Sequence, residues 1–300
     1  MKKLLKWMGG VVALLVVIGI GLVFAANLLF ERKRERVIKL DVKTILVVAD
    51  AAALERGKYL FMSRGCGDCH AANGAGRAFI DEPGGGFYVR SPNITRAGVV
   101  GAYTEIDWVR AIRHGLKPDG RPVFIMPSED YNRLTDQDVA ALIAYARSLP
   151  AAEPVAPAEF RVPFPVKALY ALGVVKDSAE KIDHTLPPAT PVAEGVTPEH
   201  GKYVANLCIG CHGEGLSGGK IPGGPPDWPA ASNLTPGQGT VLTIYNSADK
   251  LKAMFRSGKR PDGSAVAVMP FATLREINDT DVAALYTFLA QLPPRPAGGR

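Results

Sequence analysis

At 300 residues and 47% hydrophobic content, the chain carries enough apolar material to bury the core of one large domain or two ordinary ones, which excludes a disordered polar tail. Thirty-five Lys and Arg against 29 Asp and Glu leave a net charge of +6, with no basic stripe, zinc finger or arginine-rich arm. This mild excess suits an acidic partner or a membrane surface and excludes nucleic acid. Thirty-two Gly and 24 Pro predict long irregular stretches between helices.

The N-terminus reads "MKKLLKW", then an uncharged run to Phe30, then "ERKRER". From Trp7 to Phe30 there are 24 residues without a charge. As a helix that stretch is about 35 Å long, enough for the roughly 30 Å hydrocarbon core of a bilayer. It exceeds the apolar core of a secretory signal, so an uncleaved single-pass anchor over 7–30 is expected, although "VFAAN" supplies small residues where a signal could be cut. Lys2, Lys3 and Lys6 on one flank and Arg32, Lys33, Arg34 and Arg36 on the other leave its orientation open on charge alone. Residues 31–53 form a juxtamembrane connector.

Two stretches, 54–150 and 197–293, repeat one pattern. "LERGKYLFMSRGCGDCH" is answered by "PEHGKYVANLCIGCH", "SPNIT" at 91–95 by "ASNLT" at 231–235, and "RHGLKPDG" at 113–120 by "RSGKRPDG" at 256–263. Asp119 to Met126 and Asp262 to Met269 are both seven residues, and each methionine precedes its closing proline (Pro150, Pro293) by 24. Such gapless agreement predicts two homologous domains with one packing solution.

Each copy reads as three helices with long loops: an opening helix over 53–64 or 198–207, a middle one over 105–114 or 248–257, and a closing one over 136–148 or 279–291. Thr197 with Pro198, Thr104 with Asp107, Ser247 and Thr135 stand where caps are needed. Gly57 and Gly201 would let the opening helix approach the closing one. Residues 151–196 are rich in Pro and Ala and read as a mostly extended linker packing over one or both domains, with a short helix possible at 166–175. Residues 294–300 are a tail.

All four cysteines fall in two C-x-x-C pairs, each followed directly by histidine: "CGDCH" at 66–70 and "CIGCH" at 208–212. This is the attachment signature of c-type haem, in which Cys66 and Cys69, or Cys208 and Cys211, form thioethers while His70 or His212 turns to the iron. A single zinc site shared by four thiolates is the main rival, but it leaves both histidines and the aligned methionines unexplained. Thioredoxin-like thiol chemistry and simple disulfides rest on the C-x-x-C alone.

A histidine-ligated electron-transfer haem takes a thioether sulfur as its second axial ligand. Of the six methionines, Met126 and Met269 occupy matching places, 56 and 57 residues beyond their histidines and each before a proline. Met254, in the middle of a helix, reads as core. His114, His184 and His200 are not assigned to iron, with His114 the first substitute should Met126 prove distant. Asn93 and Asn233 recur in loops where turn formation competes with haem contact, and Tyr88 and Trp228 are candidates for haem-edge contacts.

With these motifs the chain resembles the class I c-type cytochrome superfamily twice over, in the manner of membrane-anchored dihaem cytochromes. The run "NIT…YTEIDWVRAIRHGLKPDGRPVFIMP" is similar to cytochrome subunits of periplasmic dehydrogenases, which often contain three haems; this chain has two attachment motifs. The resemblance implies an all-α fold of two tandem cytochrome c-like domains behind a transmembrane helix. It also implies two covalent haem c groups and residues 1–6 in the cytoplasm, with both haem domains on the periplasmic side of the inner membrane. The expected function is a non-enzymatic carrier passing single electrons between a donor and an acceptor protein, as a subunit of a respiratory, photosynthetic or dehydrogenase complex. A dihaem peroxidase is the enzymatic alternative. It requires an iron whose sixth ligand can leave.

Overall fold

The structure, a computed structural model, describes residues 2–82, 84–153, 156–225 and 227–299. Pro83 and Pro226, within the two glycine–proline segments ahead of Asn93 and Asn233, lie outside the described residues. So do Met1, Pro154, Val155 and Arg300 at the chain ends and in the linker.

Helix α1 (Lys2–Arg34) projects from the body. Within its stretch Lys6–Arg34 the most apolar window has a mean hydropathy of 2.7 and none of it is buried, a composition that fits a membrane span or a signal sequence. The first copy follows with α2 (Ala51–Ser63), the one-turn α3 (Cys66–His70), α4 (Glu105–His114), the short α5 (Ser128–Tyr131) and α6 (Asp136–Ser148). In the linker lies α7 (Phe164–Ala171). The second copy repeats the set with α8 (Pro198–Ala205), α9 (Ile209–His212), α10 (Ala248–Ser257), α11 (Phe271–Leu274) and α12 (Asp279–Ala290).

The predicted caps form. Thr104 and Asp107 make a reciprocal capping box on α4, Thr135 Oγ1 accepts from Asp138 N on α6, and Thr197 and Ser247 cap α8 and α10 in the same way. In each copy the opening and closing helices cross at the predicted glycine. A Cβ on Gly57 would lie 2.0 Å from Ala141 O, and one on Gly201 would lie 2.0 Å from Ala284 O. No side chain fits between these backbones, so the crossing depends on glycine. Around each crossing sits a separate core. Leu60, Phe61, Val139 and Ile143 centre the first, and Val204, Ile277, Val282 and Leu285 the second.

The all-α expectation needs correction. The fold is mostly α-helical but includes a three-stranded antiparallel sheet of β1 (Ala78–Glu82), β2 (Phe87–Arg90) and β3 (Glu159–Arg161), in that order. The third strand comes from the linker, pairing Val89 with Phe160, and the Phe160 ring then packs 4.8 Å from Phe124. Burial of these rings fixes a segment whose proline and alanine content read as extended. The linker helix begins two residues before the expected 166 and ends at Ala171, because Gly173 (φ +77°) takes the left-handed position and Val174 N closes back on Leu169 O at 2.9 Å.

Candidate functional site

In the first motif, helical backbone from Cys66 to His70 sets the two cysteines three residues apart and the histidine four residues from the first. On an α-helix those offsets share one face. The second motif reaches the same end through a 3₁₀ turn (Asn206–Cys208) that runs into α9. Each imidazole is fixed from behind: His70 Nδ1 lies 3.0 Å from Pro92 O and His212 Nδ1 lies 2.8 Å from Ser232 O. Donation from Nδ1–H to a carbonyl puts the ring lone pair on Nε2, the arrangement that orients a metal-binding histidine. Burial also holds His70 below its ordinary pKa, favouring the neutral ring that a metal requires.

The loops supplying those carbonyls match in detail. Gly76 N donates to His70 O and Gly218 N to His212 O, both at 2.9 Å. Asn93 and Asn233 both spend their side chains on backbone partners. Each side-chain oxygen accepts from the amide two residues on, and each Nδ2 donates across to the chain beyond the closing helix, to Ala152 O at 2.6 Å and Arg295 O at 2.8 Å. The turn-forming reading of these asparagines is the one realised. Tyr88 stacks under Arg161, 4.8 Å from the guanidinium to the ring centroid, and Trp228 stands exposed beside Gly224.

None of the four thiols is in a disulfide. Burial pushes Cys66 and Cys208 up to about 12 and Cys69 to about 11. Raised thiol pKa values do not suit a redox-active pair, which needs a lowered one. Nor are the four drawn into one tetrahedral set: among the described residues no three His, Cys, Asp or Glu side chains group as a metal site. The donor set of each copy is instead two thiols, one oriented imidazole and one thioether.

That thioether is half-buried in both copies. Met126 packs against the core cluster that Cys66 also joins, and Met269 against the cluster of Cys208. The following prolines have nearly the same conformation, φ −79°, ψ 59° for Pro127 and φ −79°, ψ 69° for Pro270, with Ser128 N donating to Met126 O at 2.8 Å and Phe271 N to Met269 O at 2.9 Å. This is an inverse γ-turn, repeated. Two thiols, an imidazole and a thioether per copy fit the attachment and axial ligation of one c-type haem each.

His114 pairs with His184 of the linker, Nδ1 to Nδ1 at 3.1 Å, and His200 lies buried with Nε2 3.2 Å from Asp281 Oδ1. Met254 is buried in the second core.

What sequence reading missed is the junction between the copies. Tyr59 of the first copy donates to Asp281 of the second at 2.6 Å, and Tyr203 of the second donates to Asp138 of the first at 2.5 Å. These are equivalent residues, so the copies meet about a pseudo-twofold axis. Arg56 forks onto Asp138 at 2.8 and 2.9 Å; burial alone would raise that carboxyl, but the guanidinium holds it below its ordinary range. Arg64, itself buried, reaches Asp281 at 3.3 Å. The motifs lie at this junction. Thr273 donates to Asp68 of "CGDCH" at 2.6 Å, and a Cβ on Gly210 of "CIGCH" would stand 3.5 Å from Asp130. The recurring Tyr59/Tyr203 and Asp138/Asp281 were visible as repeats, but nothing local marked them as contacts.

Comparison with family profiles matches residues 54–150 and 199–293 to the family Cytochrome c, and the two cysteine pairs are consistent with two covalently bound c-type haems. The chain is 28% identical over 284 residues to the fructose dehydrogenase cytochrome subunit of Gluconobacter japonicus, covering 84% of this chain and 55% of that protein. It is 31% identical over 286 residues to the cytochrome c subunit of the quinone alcohol dehydrogenase of Gluconobacter oxydans, covering 83% and 57%. A diheme cytochrome c-type protein of Cereibacter sphaeroides is 28% identical over 266 residues, 79% of this chain and 85% of that one. The chain thus spans little more than half the length of the dehydrogenase subunits it matches.

Proposed function

The chain belongs to the cytochrome c family, and from that premise we propose that it is a membrane-attached dihaem electron carrier with His70 and Met126 as axial ligands in the first copy and His212 and Met269 in the second. Bound haem would supply one-electron Fe(II)/Fe(III) chemistry, its potential raised by a methionine ligand. Around it the residues of this chain attach, orient and insulate. The two thiols of each copy are placed for thioether links, and Pro92 O or Ser232 O fixes the imidazole plane. Each inverse γ-turn presents its methionine from the loop ahead of the closing helix.

The observation that carries this reading is duplication: two independent stretches of sequence build the same imidazole lock and the same methionine turn. A methionine in both copies also disfavours a peroxidase, which needs one open iron. The junction that packs α3 against α11 and α9 against α5 supports electron passage between the two centres inside the molecule. Relatives that are dehydrogenase cytochrome subunits support a dehydrogenase as donor, and α1 supports single-pass attachment with both copies on the periplasmic side.

Intact mass after denaturation tests the cofactor assignment. The 31.9 kDa chain should carry two covalent haem additions. A mass equal to the polypeptide alone would end the proposal.

A further inference from the structure

Helix α7 lies beside the end of α1. Lys167 Nζ donates to Asn27 Oδ1 at 3.1 Å and Lys33 Nζ to Tyr170 O at 2.9 Å. Phe30 is buried between Tyr170 and Phe124, with ring centroids 5.5 and 6.2 Å away. Beyond the helix end Arg36 meets Tyr170 OH at 2.9 Å and the fully buried Asp177 at 2.6 Å. Residues 27 to 33 cover about 9 Å of helix axis, so α7 sits at the level where the uncharged surface of α1 gives way to charge.

The side of α7 turned away from this contact is apolar. Phe164 and Leu169 are each 41% exposed, Leu172 is 75% and Val174 is 68%. From Phe164 to Val175 the sequence "FPVKALYALGVV" holds a single charge, Lys167. Lys167 and Lys176 flank the patch; of the nearby acids Asp177 is buried on Arg36, and Glu180, at the surface, is paired with Lys33 at 3.0 Å. An apolar face with a cationic rim, held level with the end of a membrane-length helix, has the composition of an interfacial element.

We propose that α7 and the turn through Leu172 and Val174 form a second membrane contact, lying in the headgroup boundary of the bilayer that α1 crosses and seating the first copy on an anionic lipid surface. This rests on α1 being retained as a span. The seat holds the first copy against the membrane and leaves the second outermost.

Nitroxide labels test it in the full holoprotein reconstituted into vesicles containing anionic lipid. They are attached at Leu172→Cys, at Val16→Cys within α1, and at Lys259→Cys on the second copy. Oxygen against nickel-chelate accessibility is then read by power saturation. The oxygen-to-nickel ratio at positions 16 and 172 should exceed that at 259 several-fold. A lipid-like position 16 with a water-like 172 overturns the seat while leaving the span. A water-like position 16 overturns the span and the seat together. Val174→Cys repeats the reading should the label at 172 disturb the haem spectrum.

Discussion

The loop of Met126 lies beneath two other parts of the chain, whereas the loop of Met269 lies open. In the first copy the connector after α1 runs across the loop, with Ile38 N on Gly120 O at 2.9 Å, Arg121 on Glu35, and Val42 buried in the core. The linker straps the other side: Ser178 N donates to Val123 O at 3.1 Å, Ser178 Oγ donates to Met126 O, and Lys181 pairs with Glu129 at 2.9 Å. In the second copy the matching residues 259–265 are all exposed. Duplicated sequence builds the two sites alike; the added segments decide which one a partner can approach. The loop of the second copy is therefore the more accessible of the two.

The largest expected asymmetry lies at the junction. Asp281→Ala would leave the buried Arg64 guanidinium without its carboxylate, costing about 3–5 kcal/mol, whereas Asp138→Ala should cost about 2 kcal/mol because Arg56 stays partly in water. Urea denaturation monitored at the haem should show this order. Equal losses would mean that the pseudo-symmetry extends to the energetics. Gly57→Ala and Gly201→Ala should instead behave alike, each losing about 3 kcal/mol through the same clash with a backbone carbonyl. A thermal shift in only one of them would show that the two crossings are not equivalent.

Exposure of the second copy gives a kinetic prediction. Lys259→Glu should slow electron exchange with an acidic partner about three- to tenfold at low ionic strength. Lys117→Glu, at the position matching Arg260 in the loop that the connector covers, should leave the rate unchanged in stopped-flow mixing. The smallest effect concerns pH. Burial and the neighbouring His184, with Arg113 and Arg110 adding, push His114 down to about 4. The unfolded chain therefore binds a proton near pH 6.5 that the folded chain refuses, so this contribution is intact above 6.5 and lost as pH falls toward 4. The half-buried pair should be worth about 1–2 kcal/mol. His114→Ser, the residue type at the equivalent Ser257, should flatten the slope of first-copy hydrogen exchange between pH 7 and 4.5.

Helices and caps were legible because their signals are local: Thr104 with Asp107, Thr135 with Asp138 and the stripe along α6 are read within one or two turns. The two motifs and their methionines were legible because they recur. The sheet was not, since β3 lies some 70 residues beyond β2 and the second copy, with "PGGPPDWP" in place of "PGGGFYVRSP", offers no strand to compare among its described residues. Tyr59 with Asp281 and His114 with His184 were hidden for the same reason. Each residue is ordinary in its own segment and gains meaning only when distant chain meets it. The linker was expected to pack over one or both domains; the ring of Phe160 and the hydroxyl of Ser178 commit it to the first.

Spectra and potentials of the ligand variants test the central claim most directly. In the ferric protein Met126→Ala should abolish the His/Met low-spin signature of one haem and lower its potential while sparing the other. Met269→Ala should do the reverse, and His114→Ala should abolish neither. Retention of two His/Met signatures in either methionine variant would contradict the account.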